Sequence, residues 1–412
     1  MQPKSFIKYL ICLLLLFTPL ARGSVQLWAI SVIHLISSAA LCAFLMERNL
    51  KGEWKWPDTP LNRPVCAVFL LVLISAVFSR QGHTSLWAFT LFINYLVVFY
   101  LVTDIASTRS GLKSVVYFVI SVALFLAVFG FFKRFGANPF SWWDYGDLKY
   151  SPDFLSSTFG NHNHLAGYME MAIPLLLGFL MTGIRGGRFF LLVYIAMLLI
   201  TALILSLSRG GWLAFIFSMI FMVISLFSNR YFKKRGFLAL FVGAAVVLCF
   251  FILASTPVVE RIQTFAEKEE EASFASRLVV WGGTVDMIKD YPVLGTGPGT
   301  YKTVFTRYQP PGLTRQFRMA HNDYLHIISE TGLLFIPLLL WMAVLLFKTG
   351  FRKMKSPSRL IRGTTLGAMT GITAILFHSI VDFNLHIPAN AILFAVLAAL
   401  VSAPVREEKI PD

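Results

Sequence analysis

Three side chains in this sequence could together hold a phosphate and move a proton: Arg209, Arg277 and His321. Arg209 lies in SRGG (Ser208 to Gly211), a turn between two apolar runs that is too short to reach far into water. Its guanidinium therefore sits near the headgroup level, either as an interfacial arginine extending to water or as a clamp whose planar fork bonds two phosphate oxygens. Arg277 opens SRLVVWGGTVDMIKDYP. This run reads as an amphipathic surface helix with Ser276 as its cap and Leu278, Trp281, Val285 and Ile288 on one apolar face. Arg277 would be offered from its first turn, or would simply belong to a solvated face. His321 begins HNDYLHIISETG. If Asn322 or Asp323 starts a helix, His321 stands at its mouth. An imidazole there can take a proton from a hydroxyl near neutral pH, with Asp323 or Glu330 fixing its tautomer. The plainer alternative is a hydrogen-bonded interfacial histidine.

Other polar residues cluster nearby in the same reading. FGNHNH (Phe159 to His164) supplies His162 and His164, and DFNLHIPAN supplies Asp382. Glu170 falls about two turns inside an apolar segment, where an ionisable group is expected to have a partner or a task; an arginine is one such partner. No metal site is expected, because the spacings among His162, His164, His321 and His326 match no strong ligand signature and HNDYLH lacks the glutamate of a zinc-peptidase helix. GTGPGT (Gly295 to Thr300) reads as a tight turn rather than a nucleotide loop, since Pro298 interrupts it and no strand precedes it; its N–H groups could approach a ligand.

The elements that must position these residues are membrane helices. Hydrophobic residues make up 57% of the 412 positions and charged residues 14%, with a mean hydropathy of +0.70. A single soluble core could not hide that much apolar surface. Windows of about 20 apolar residues give twelve candidate spans: 6–21, 25–46, 64–79, 85–103, 114–132, 164–184, 189–207, 211–228, 237–254, 333–347, 363–383 and 389–404. The alternation of a membrane barrel is missing, so the fold class is an all-α polytopic bundle of about 12 transmembrane helices. Its organisation divides into helices 1–9 over 1–254, a long, partly helical loop over 255–332, and the last three helices with a short tail over 333–412.

Lys and Arg placement orients the bundle. Alternate loops, beginning with Lys4 and Lys8, hold 22 of the 36 basic residues, while the opposite side holds 14, eight of them in the long loop beside nine Asp and Glu. Setting that loop aside leaves 22 against 6. Both termini are therefore expected in the cytoplasm, with all the polar clusters above on the outer face. The net charge of +15 is a topology signal and a match to anionic membrane lipids, not to nucleic acid. A cleaved leader is the competing reading of the first span, but Arg22 falls where small residues are wanted. Cys12, Cys42, Cys66 and Cys249 all lie in apolar spans without redox or metal spacing, and read as small hydrophobes.

SRGGW from Ser208, the pattern R-x3-W-x4-D-x-I-x-D-x-P-x-L-G-x-G-x-G from Arg277 to Gly299, and HNDYLHIISETG from His321 resemble the O-antigen ligase and polymerase superfamily of bacterial inner-membrane proteins. The stretch HSIVDFNLHIPANA from His378 resembles members found in exopolysaccharide loci. The resemblance implies transfer of a glycan from an undecaprenyl diphosphate carrier to an acceptor hydroxyl, on lipid A core or on a second lipid-linked glycan, at the periplasmic face and without metal, nucleotide or other cofactor. It assigns the diphosphate to Arg209 and Arg277 and the general base to His321, with inversion at the anomeric centre. Asp323, Glu330, His162, His164, Asn322, Glu170 and Asp382 remain secondary candidates. A multi-span transporter is the reading from another class; it would call for charges along a path through the helices and an internal repeat, and no clear repeat is seen.

Overall fold

The computed structural model describes residues 3–52, 54–136, 154–229, 231–232, 236, 243, 271–311 and 316–405. Among the described residues every regular element is helical: α1 Pro3–Leu20, α2 Leu27–Leu50, α3 Asn62–Val77, α4 Gly82–Ile105, α5 Arg109–Arg134, α6 His162–Leu180, α7 Gly187–Leu205, α8 Arg209–Phe227, α9 Glu271–Asp290, α10 Tyr301–Val304, α11 Asp323–Thr331, α12 Phe335–Lys353, α13 Arg359–His378 and α14 Pro388–Ser402. Helices follow from the solvent: hydrocarbon cannot satisfy an open backbone, so each span must close its own hydrogen bonds.

Seven of these helices, α2, α4, α5, α7, α8, α12 and α13, are long and apolar enough to cross a membrane; α1, α3 and α14 are shorter apolar helices. Eleven of the twelve expected segments coincide with helices, and the ninth, 237–254, lies almost wholly outside the described residues. The eleventh segment is misjudged at its end. Instead of running to residue 383, α13 stops at His378 and releases Ser379 to Ile387 into a turn that includes the short 3-10 element Asn384–His386.

The axis of the bundle is the antiparallel pair α6 and α13. Every residue of α6 from His164 to Leu180 is buried. Gly363, Gly367 and Gly371 recur every four residues and so share one face of α13. A Cβ added at Gly367 would lie 2.5 Å from the carbonyl oxygen of Pro174, one at Gly371 2.6 Å from that of Met171, and one at Gly178 2.2 Å from that of Gly363. Lipid tails give helices little hydrophobic reason to associate, so close backbone approach through small residues supplies the packing energy. Gly367→Leu is therefore expected to force α6 and α13 apart at a cost at or above the usual range of about 1–3 kcal/mol for overpacking. Thermal unfolding in detergent should fall by several degrees relative to Gly282→Ala, which enters open space on α9. An unchanged midpoint would show that this seam does not limit stability.

Residues 271–332 add a lobe with a small core of its own, formed by Val280, Met287, Tyr301, Val304, Phe305 and Ala320. Its α9 departs from the expected helix in two ways. It begins at Glu271, so Ser276 lies inside it instead of capping it. Its buried stripe is Val280, Gly283, Thr284, Met287 and Ile288; of the expected face Ile288 is buried and Trp281 half-buried, whereas Leu278 and Val285 are exposed. Gly283 packs so closely that a Cβ there would sit 2.4 Å from the Tyr308 carbonyl oxygen.

Candidate active site

The turn after α13 is the place where the separate polar motifs meet. The N-terminus of α11 docks on it, with the N–H of Asp323 shared between the carbonyls of Ser379 (2.9 Å) and Asp382 (3.2 Å). Asn322 caps α11, its side-chain oxygen accepting from the N–H of Leu325 at 3.0 Å, so His321 does stand at a helix mouth. His321 has φ 51°, a left-handed backbone that costs a residue with a Cβ some strain and turns its side chain back onto the turn. Its Nδ1 lies 3.7 Å from Oδ1 of Asp382, and its ring meets Phe383 edge-on at 4.9 Å. The opposite partner of Phe383 is His164, whose ring lies 5.2 Å away.

The carboxylate is enclosed and the imidazole is accessible: side-chain exposure is 5% for Asp382 and 29% for His321. Burial opposes the charge on Asp382, but the His321 imidazole and the rings of His378 and His164 outweigh it and hold the carboxyl below the usual carboxylate range. The Nδ1 edge of His321 is itself buried. That atom makes no hydrogen bond, so its contact with Asp382 is electrostatic, and the exposure of His321 belongs to the rest of the ring.

Both arginine motifs abut Val381, the neighbour of Asp382. Nη1 of Arg277 donates to the Val381 carbonyl at 2.9 Å. Arg209 is exposed and is the first residue of α8, where Ser208 caps the helix by accepting from the N–H of Gly211 at 3.2 Å. A Cβ at Gly210 would meet Val381 Cγ2 at 3.2 Å and His378 Nε2 at 2.9 Å, so only glycine lets the start of α8 come this close.

Beneath the turn, Glu170 and His378 form a fully enclosed pair, Nδ1 lying 3.1 Å from both carboxylate oxygens. The expected partner of Glu170 was an arginine; a histidine from α13 takes that role. Expectation also fails for the carboxylate beside His321, since Asp382 faces it. Asp323 instead accepts from Ser379 Oγ (2.8 Å) and the N–H of Leu385 (3.0 Å) and pairs with His386 Nδ1. Glu330 accepts from the N–H groups of Gly299 (2.8 Å) and Tyr301 (2.9 Å) and lies 3.3 Å from His326 Nε2. The glycine turn thus spends its N–H groups on the protein rather than on a ligand, that of Gly297 going to the Glu330 carbonyl at 2.9 Å. His162 is held by the Ser206 carbonyl at 2.7 Å and stacks on Phe154 at 4.5 Å.

Residues 194–342 match the family model described as O-antigen ligase. The matched segment, about a third of the chain, is similar to that family. Comparison with curated proteins gives no match. The apolar helices and this match point to a multi-pass bacterial membrane protein of polysaccharide biosynthesis, of glycosyltransferase type, and do not favour the transporter reading. The matched segment runs from within α7 into α12 and holds Arg209, Arg277 and His321. Asp382, which faces His321, lies outside it, as do the Glu170–His378 pair and His386.

Among the described residues one group has metal-ligand chemistry: His326, Glu330 and His386 each bring a ligand atom within 4.8 Å of the others. Hydrogen bonding already accounts for the contacts of all three. The burial of His326 and the neighbouring charge of His386 lower its pKa against the pull of Glu330. Burial works against the charge of Glu330, yet His326, His386 and the Gly299 N–H lower its pKa. Desolvation opposes the charge of the half-buried His386, but its hydrogen bond to Asp323 raises its pKa. The set is a lock between α11 and the turn after α13. Sequence reasoning missed His378 and His386 as partners. The signal available was an ionisable residue, Glu170, inside a span, together with one histidine four residues before DFNLHIPAN and another in its middle.

Proposed function

We propose that this protein transfers a glycan from a polyprenyl diphosphate carrier to an acceptor hydroxyl on the periplasmic face of the inner membrane. The observation that carries the reading is the convergence on one turn of an accessible imidazole backed by a buried carboxylate and of two arginine motifs, one at the start of α8 and one within α9. His321 takes the proton from the acceptor hydroxyl as the new glycosidic bond forms at the anomeric carbon. The bond from that carbon to the carrier oxygen breaks, and its electron pair leaves with the diphosphate. Arg209 and Arg277 stabilise the charge that grows there. Attack from the face opposite the diphosphate inverts the anomeric centre. The charge of Asp382, 3.7 Å from Nδ1 of His321, favours the imidazolium formed during the reaction, while Glu170 and His378 brace the turn from below.

No step in this scheme calls on a metal. The test is glycan transfer in reconstituted membranes, offering undecaprenyl diphosphate oligosaccharide with either a lipid A core acceptor or a second lipid-linked repeat. Product on the core means ligase, and a ladder of lengths means polymerase. Activity should persist in EDTA at a level that removes free divalent ions; loss restored by one added metal would overturn the metal-free mechanism and move attention to His326, Glu330 and His386. No product with either acceptor would overturn the transfer reading itself.

A further inference from the structure

The end of α13 remote from His378 holds a second candidate site. A cavity of about 570 Å³ opens between the starts of α5, α7 and α13. Arg109 is the first residue of α5 and Arg359 the first of α13, Arg188 lies in the first turn of α7, and Arg185 and Lys113 complete the ring. No Asp or Glu lines this cavity, and among the described residues none of the five cations forms an ion pair. Three helix N-termini turn their positive ends to the same concavity, the arrangement that favours an anion.

Two polar groups point independently to a missing partner. Ser358 occupies the cap position of α13 and lines the cavity, yet its side chain makes no cap hydrogen bond, although the residue is only 8% exposed. A serine at that position ordinarily accepts from its helix. Nε of Arg109 is likewise buried without a hydrogen-bond partner. A bias of basic residues toward one face explains charged loops; it does not explain their convergence around one cavity that holds a cap serine without a cap hydrogen bond and a buried guanidinium nitrogen without a partner.

The floor of the cavity is apolar. One turn along α5 from Lys113, Tyr117 meets Phe179 edge-on at 4.9 Å. Cations above aromatic surface, at the boundary between loops and spans, match a ligand with an anionic head and an apolar tail. α13 has 20 residues, about 30 Å at 1.5 Å per residue, so this end and the turn after His378 face opposite leaflets. We infer that the cavity bordered by Arg109, Arg185, Arg188 and Arg359 binds the phosphodiester headgroup of an anionic glycerophospholipid in the leaflet opposite the candidate active site.

Native mass spectrometry of the full chain, released from membranes with equal phosphatidylglycerol and phosphatidylcholine, tests this. Wild type should retain phosphatidylglycerol with at least about a tenfold preference. The triple variant Arg109→Gln/Arg185→Gln/Arg188→Gln should lose it. A control triple variant of the exposed residues Lys55, Arg63 and Lys355, each to Gln, removes the same charge elsewhere and should keep it. Equal loss in both triple variants would reduce the effect to bulk charge and overturn the site, as would a wild type without preference. Displacement of the lipid by millimolar inorganic phosphate would assign the cavity to a free anion instead. If the first triple variant fails to fold, Arg185→Gln/Arg188→Gln, both exposed, is the replacement and should show a partial loss; retention of full preference would sink the proposal.

Discussion

His321→Ala is expected to lower glycan transfer by roughly two to four orders of magnitude, the range over which a positioned general base acts, while the protein still inserts and folds. The structural cost of the change is small. The ring is 29% exposed and contributes an edge contact to Phe383, whereas Asn322 and Asp323, which fix α11 to the turn, are untouched. Asp382→Asn keeps the shape and removes the charge behind the imidazole, so it should reduce kcat by a smaller factor with little change in KM. Asp382 has a carboxyl pKa held below the usual range. A group depressed in this way contributes stability that is present above its unfolded value, about 3.9, and is lost only as pH falls through the lower folded value. The stability contribution of Asp382 is thus intact at neutral pH, and the asparagine variant tests charge without a background of titration. Retention of more than about a tenth of wild-type turnover by His321→Ala would remove the general-base role, since base catalysis is worth at least about a hundredfold.

The residue types at this site were legible in the sequence, but their pairings were not. SRGG, the Arg277 helix and HNDYLH could be placed because each interrupts or flanks an apolar run, and the cap by Asn322 follows from local chemistry alone. Pairing depends instead on the register of helices distant in sequence: Glu170 meets His378 across 208 positions and Asp323 meets His386 across 63. Asp323 and Glu330 looked like partners of His321 because they are close in the chain. On α11, Glu330 instead shares a face with His326, four residues earlier, a pairing that helical spacing does predict. The stripe of α9 misled for a related reason. Its tightest contact is made by Gly283, which carries no hydrophobic signal, while Leu278 and Val285 remain exposed.

Alanine at Arg209 or at Arg277 should cost about 10²- to 10³-fold in kcat, the scale of removing one preorganised charge stabiliser, roughly 3–4 kcal/mol. The two variants should differ in what else they disturb. Arg277 also holds the Val381 carbonyl at 2.9 Å, so its loss loosens the turn that carries Asp382; Arg277→Lys, which keeps charge but not the fork, should recover only part of the activity. Arg209 begins α8, and a cation at the positive end of a helix is unfavourable by about 0.3–1 kcal/mol at an exposed position. The helix dipole thus gives a cation no advantage at this position, whereas a diphosphate there would be met by both the guanidinium and the helix start. Arg209→Ala should therefore lose turnover without lowering the thermal midpoint, and a midpoint drop in proportion to the activity loss would return Arg209 to a structural role. If both guanidiniums act on one leaving group, the double variant should lose less than the product of the single losses, because residues that act as a unit are not additive. Strict multiplication of the two effects would mean that the arginines serve separate steps, and the single diphosphate clamp would have to be abandoned.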